Sequence, residues 1–266
     1  MTIEIGTTDE LRRGLDRLRL GALLEIAAFV LVIIGMIVLF SVPGMYSLIT
    51  RSFSGGFPGS PPLPGRGPTT PPPLLTEPGK LLVALGVSGG LMLIAGILGI
   101  ISFVLWFMAT GNLKRYSERL GVGRTGMILQ LLAVIIIIVG AVGFVAFVAV
   151  SAKQFVPREP SFGAFTGLMT GILGLFGVVI IGVILAIIGG IMFGLMLMRM
   201  PEEGLDDGFK TAGIVYLAGV VTSLIPFVSL ISIILELISV FLIYRSSKRN
   251  LESLEEGRTL SVVGES

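Results

Sequence analysis

The sequence predicts an all-α fold, a polytopic integral membrane helix bundle of six spans. Three observations carry this. Of 266 residues, 53% are hydrophobic and only 14% charged, whereas a soluble domain carries about 25% charge. The apolar residues gather into blocks that satisfy the membrane-crossing requirement of about 20 residues, each rising about 1.5 Å against a hydrocarbon layer of about 30 Å. Finally, the longest block is interrupted by Pro226, and proline removes a helical hydrogen bond and disfavours helical geometry in the residue before it. A soluble globular domain, a disordered chain and a coiled coil are excluded.

Residues 1–19 read as a cytoplasmic amphipathic lead-in. Thr7 and Glu10 have capping-box spacing. Leu11, Leu15 and Leu18 share one face, with Arg12, Arg13, Asp16 and Arg17 around the rest, a pattern suited to lying on an anionic leaflet. The transmembrane bundle occupies 20–245. Its first span, Leu20–Val42, is longer than a signal-peptide core of about 7–15 residues, and Ser41-Val42-Pro43 is a poor cleavage site, so a retained anchor is expected. The external loop, 43–80, is rich in proline and glycine, with Pro61-Pro62 and Pro71-Pro72-Pro73. It is expected to be extended, either as a docking strand or as a tolerated insertion.

Spans Leu81–Ala109, Thr125–Val150 and Thr166–Met198 follow. The last apolar stretch, Thr211–Tyr244, would form a rod of about 51 Å if unbroken, well beyond the hydrocarbon thickness. Pro226 divides it into two spans, about 207–225 and 226–244, with five spans as the alternative. A polar tail, 246–266, ends the chain, with Arg245, Lys248 and Arg249 placed to anchor it at the membrane surface.

Basic residues favour six spans. That topology places fourteen Lys and Arg on one side and five on the other, whereas five spans would split them ten to nine. The richer side is cytoplasmic by the positive-inside rule, so both termini are expected in the cytoplasm and the protein in the cell membrane.

A faint internal repeat supports the same count. Arg19-Leu20-Gly21, Arg124-Thr125-Gly126 and Lys210-Thr211-Ala212 open the first, third and fifth spans. Aligned on these, Glu25, Gln130 and Tyr216 share one column, and Ala28, Ala133 and Gly219 another. The returning spans align at Ser102, Gly189 and Ser239. Three tandem helical hairpins would give this pattern; so would chance agreement between glycine-rich apolar strings. Glycines four apart, at Gly163, Gly167 and Gly171, at Gly86 and Gly90, and at Gly190 and Gly194, let helix backbones approach closely. They would serve packing within the bundle or homo-oligomerisation.

Candidate chemistry is sparse. The chain has no Cys and no His, which removes thiolate sites and the commonest general base and metal ligand. Gly86-Val87-Ser88-Gly89-Gly90 matches a serine-hydrolase pattern in form, but no histidine exists to activate the serine. Neither catalytic activity nor a cofactor or metal is expected, and a net charge of +2 implies no nucleic-acid partner. Glu25 and Glu236 are carboxylates inside apolar blocks, where an ionisable group is costly and points to a pathway or site. Gln130, Tyr216, Ser102 and Ser239 are their polar neighbours in the alignment. The same carboxylates could instead reach the interface or bond to a neighbouring helix. The acidic run Glu202, Glu203, Asp206 and Asp207 is expected to cap the next helix.

Certain residues carry a resemblance: Gly14-Leu15-x-x-Leu18-Arg19-x-Gly21, Gly121-Val122-Gly123-Arg124-Thr125-Gly126, Lys210-Thr211-Ala212-Gly213 and Ile225-Pro226. The chain resembles the membrane proteins of domain-of-unknown-function family 973 over nearly its whole length, outside the proline loop and the tail. The resemblance implies an archaeal multi-pass membrane protein and brings no activity, ligand or site residue.

The functional expectation is a non-catalytic protein that organises, anchors or assists partners in the membrane. Its partners would be the lipid bilayer and either another membrane protein or further copies of itself. The alternative is a small transporter or channel using the intramembrane carboxylates.

Overall fold

The computed structural model describes residues 8–41, 78–155, 162–225 and 228–256. Among the described residues are six α-helices: α1 Thr8–Phe40, α2 Pro78–Tyr116, α3 Gly121–Phe155, α4 Phe162–Arg199, α5 Gly208–Thr222 and α6 Ser229–Glu255. Two 3-10 turns join them, and no strand occurs among the described residues. The proline-rich loop, Thr7, Pro226 and the tail beyond Glu256 lie outside the described residues.

Five of the six helices are long and apolar enough to cross a membrane, and α5, Gly208–Thr222, is shorter. The first four have 33, 39, 35 and 38 residues, or about 50 to 58 Å each. All exceed the hydrocarbon thickness of about 30 Å.

The stretch 211–244 is broken, as the proline predicts. Helix α5 ends at Thr222 and α6 begins at Ser229. Ser239 Oγ donates to the Ala212 carbonyl at 2.9 Å and Ser232 Oγ to the Gly219 carbonyl at 3.0 Å. One partner advances along the chain as the other retreats, so the two helices are antiparallel.

Helices α3 and α4 form a second hairpin. A Cβ built on Gly126 would lie 2.6 Å from the Gly189 carbonyl oxygen, and one built on Gly189 would lie 2.6 Å from the Gly126 oxygen. Farther along, a Cβ on Gly182 would lie 3.3 Å from the Ala133 oxygen. These pairs correspond to those of the third hairpin: Gly126–Gly189 to Ala212–Ser239, and Ala133–Gly182 to Gly219–Ser232. Both correspondences use the same two sequence offsets. The repeat is therefore structural, with the two hairpins sharing one register.

The chain divides into two compact units. In the unit Leu24–Ser102, α1 and α2 are antiparallel. A Cβ on Gly35 would lie 3.5 Å from the Ser88 oxygen, and Glu25 bonds with Ser102. Ala28 and Ala95 are buried, at the positions that Ala133 and Gly182 hold in the second hairpin.

The other unit, Met1–Leu23 with Phe103–Ser266, contains the core. Leu11, Leu15, Leu18, Leu113, Leu120, Met127, Phe193, Met196, Met200, Phe209 and Ile243 are fully buried. All lie towards the helix ends that carry the charged residues. The lead-in differs from its expected role on the leaflet. It is continuous with the first span, and its leucine stripe faces protein. A Cβ on Gly14 would lie 3.0 Å from Leu113, and Arg12 pairs with Glu255 of α6 at 3.1 Å.

In this unit, exposed large apolar side chains stop abruptly at Met108, Ile128, Ile191, Ile214 and Phe241, and at Leu20 on α1. On the charged side of these positions, none occurs among the described residues. Just beyond them come Arg19, Lys114, Arg124, Arg199, Lys210 and Arg245. This sharp change marks where hydrocarbon gives way to headgroups and water.

Candidate functional site

Of the four candidate site residues, the structure joins two directly. Gln130 on α3 and Tyr216 on α5 share a column of the repeat, and the Gln130 amide Nε2 donates to the Tyr216 hydroxyl at 3.3 Å. Gly190 of α4 makes room for this crossing. A Cβ there would lie 3.6 Å from Gln130 Nε2, 3.7 Å from the Tyr216 hydroxyl and 3.2 Å from Val220.

Glu236 lies at the level of Tyr216. The third hairpin's register pairs Ala212 with Ser239 and Gly219 with Ser232, placing Tyr216 and Glu236 between the two pairs. Ser232, Glu236 and Ser239 follow one another at helical spacings of four and three, so all three face α5. Glu236 is half-buried. Glu25 belongs to the other unit, where its carboxylate accepts a hydrogen bond from the Ser102 hydroxyl.

Aromatic rings, absent from the sequence reading of the site, fill the space beside it. Trp106 stacks on Phe193 with ring centroids 5.3 Å apart, and Phe193 meets Tyr216 edge-on at 5.3 Å. Trp106 and Phe193 each lie four residues beyond a matched position, Ser102 and Gly189, so extending the repeat by one turn would have found them. Close helix contacts continue on both sides. A Cβ on Gly213 would lie 2.7 Å from the Gly194 carbonyl oxygen, and one on Gly194 2.7 Å from Leu217. Gly190 and Gly194 thus serve packing within the bundle. Gly86 and Gly90 have nothing within 4 Å, and Gly163 and Gly167 lie outside the residues whose surroundings are described.

At the charged end, Asp206 collects the contacts expected of the acidic run as a whole. Its Oδ1 accepts from the Gly208 backbone N–H at 2.7 Å and from the Ser246 hydroxyl at 3.0 Å, while Oδ2 lies 3.5 Å from Arg249. Asp206 caps α5; Asp207, at the N-cap position, makes no side-chain capping bond. Arg124 donates to the Phe107 carbonyl and lies over the Phe107 ring, 3.7 Å from its centroid. Gly111 leaves space for the guanidinium.

Tandem apolar hairpins, a charged belt and hydrogen bonds satisfied between helices define a multi-pass α-helical membrane protein. Over residues 12–263 the chain matches the family described as a protein of unknown function, DUF973, and it belongs to that family. No curated protein and no solved structure matches it.

Proposed function

We propose that this is a non-catalytic membrane protein that organises or anchors partners in the cytoplasmic membrane of an archaeal cell. Both termini and the charged end lie in the cytoplasm. The carrying observation is how the bundle is filled at the level of its polar pair. Backbones meet at Gly126–Gly189 and Gly194–Gly213, and the Trp106, Phe193 and Tyr216 rings occupy the space between. Such packing suits a rigid scaffold. The basic belt supports the orientation, and Ile214, Val221, Leu224 and Ile225, all exposed, support α5 as a sixth membrane-embedded helix. The partners are lipid and either another membrane protein or further copies of the chain.

A second reading, a small proton- or cation-coupled transporter, draws on the polar line of Gln130, Tyr216 and Glu236 across three helices. Ion flux through proteoliposomes separates the two. The scaffold reading expects wild-type flux no greater than that of protein-free vesicles. Flux above that background, abolished by Glu236→Gln or Glu25→Gln, would replace it with transport.

A further inference from the structure

We propose that the α5–α6 hairpin turns inside the hydrocarbon, short of the far membrane surface, and that acyl chains of the outer leaflet fill the notch above its tip. The inference rests on the reading above that the charged end faces the cytoplasm.

Length comes first. From Lys210, at the headgroup boundary, α5 and its turn reach Ile225 in fifteen residues. The returning arm takes as many from Leu230 to Arg245. Each covers about 22 Å, some 8 Å less than the hydrocarbon thickness of about 30 Å.

The neighbouring hairpin supplies an internal ruler. In the shared register Ile225 corresponds to Val139 of α3. Helix α3 runs on to Phe155, and Val142, about 27 Å from Arg124 and so still within a hydrocarbon layer of about 30 Å, is exposed beyond that level. Apolar surroundings therefore continue past the point where the third hairpin has turned back.

The tip is built for an apolar medium. A helix end in water leaves its last carbonyls to solvent, but in hydrocarbon each must be satisfied internally. Thr222 Oγ1 donates to the Ala218 and Gly219 carbonyls at 2.9 and 3.0 Å, and Ser223 Oγ to the Val220 carbonyl at 2.7 Å. The N–H groups of Ser223, Leu224, Ile225 and Val228 each find a backbone carbonyl. No charged residue occurs from Thr211 to Leu235. Among the described residues Val221, Leu224, Ile225 and Leu230 are exposed, the last by 75%, together with Ser223. Exposed apolar side chains on both arms, beside backbone N–H groups that are internally bonded, suit lipid better than an aqueous loop.

The chain has no cysteine, so single thiols can be placed in the full-length protein in liposomes whose acyl chains are brominated or plain. Ser223→Cys marks the tip, Ser41→Cys the far end of α1 and Ser253→Cys the charged end. Membrane-impermeant maleimide should label Ser41→Cys and Ser253→Cys from opposite sides. It should react with Ser223→Cys roughly tenfold more slowly or less, because hydrocarbon excludes the reagent and disfavours the thiolate. A fluorophore attached at Ser223→Cys with a permeant reagent should be quenched by brominated chains. Labelling of Ser223→Cys at the rate of Ser41→Cys would show that the tip reaches water, and absence of quenching would show that protein covers it. Either result overturns the proposal alone. Labelling of Ser41→Cys and Ser253→Cys from one side would overturn the orientation, and the proposal with it.

Discussion

Gln130 and Tyr216 occupy the same position in successive hairpins and are joined to each other by a hydrogen bond of 3.3 Å. The contact ties the second hairpin to the third. Trp106 and Phe193, at equivalent positions of two returning helices, are likewise in contact, stacked at 5.3 Å. A polar contact between helices in a membrane couples them by about 0.6 kcal/mol on average and about 1.7 kcal/mol at most. A double-mutant cycle of Gln130→Ala and Tyr216→Phe, read by unfolding in detergent, should give a coupling in that range. Tyr216→Phe retains the ring against Phe193, so the cycle isolates the hydrogen bond. Strictly additive effects would mean that the bond contributes nothing to stability.

Two sets among the described glycines have opposite expected responses. A methyl at Gly126 or Gly189 would lie 2.6 Å from a backbone oxygen, which cannot swing aside as a side chain can. Gly126→Ala and Gly189→Ala should each destabilise by about 1–3 kcal/mol or more, the cost of overpacking. A methyl at Gly86 or Gly89 meets nothing within 4 Å. Those substitutions should leave stability unchanged or raise it by up to about 1 kcal/mol through helix propensity. Thermal unfolding of the four purified variants checks the contrast, and equal losses in all four would contradict it.

This contrast also shows what the sequence could and could not disclose. Gly86 and Gly90 have the spacing of Gly190 and Gly194, but spacing does not reveal whether a neighbouring backbone is present, and only the second pair is packed. The leucine stripe Leu11, Leu15 and Leu18 was legible as an apolar face. A leaflet and a protein surface require the same periodicity, so its true cover, at the charged end of the bundle, was not. The break at Pro226 and the three-hairpin repeat were legible because proline chemistry and residue offsets are properties of the chain itself. The polar column was legible in part. Gln130 and Tyr216 meet, whereas Glu25 is bonded to Ser102 within its own hairpin. The capping carboxylate was mis-shared among four acids, since selection of Asp206 depends on the turn at Gly204, whose φ of 81° strongly favours glycine.

Asp206 and Arg12 are both paired, but their substitution should have unequal effects. Asp206 is mostly buried, accepts from the Gly208 N–H and the Ser246 hydroxyl, and lies near Arg249. Asp206→Ala would strand a nearly buried hydroxyl and a helix-end donor, which should cost about 1–3 kcal/mol. Arg12 and Glu255 are 60% and 61% exposed. Removing either should change stability by no more than about 1 kcal/mol, and less in high salt. Chemical denaturation at low and high salt tests both statements. An Arg12→Ala loss as large as that of Asp206→Ala would show that the link between the two chain ends carries more of the fold than its exposure implies.

The third hairpin uses hydroxyls where the second uses glycines: Ser239 stands at the position of Gly189, and Ser232 at that of Gly182. At these positions the second hairpin brings backbones together, and the third adds two hydroxyl-to-carbonyl bonds at 2.9 and 3.0 Å. Ser232→Ala and Ser239→Ala together keep the Cβ atoms and remove only those bonds. The accepted carbonyls of Ala212 and Gly219 remain available to their own helix, so no acceptor is orphaned. The combined loss should be about 1 kcal/mol, at the average strength of such contacts in a membrane. Gly182→Ser and Gly189→Ser run the opposite experiment. Gly189→Ser should fail, because its Cβ would meet the Gly126 backbone oxygen at 2.6 Å, whereas at Gly182 the nearest atom is Ile137 Cγ1 at 2.7 Å, a side chain that can shift, with the Ala133 oxygen at 3.3 Å, so Gly182→Ser should cost less. Thermal unfolding of the two single variants gives the order. If Gly189→Ser proved the better tolerated, the second hairpin would be held by something other than the closeness of its backbones.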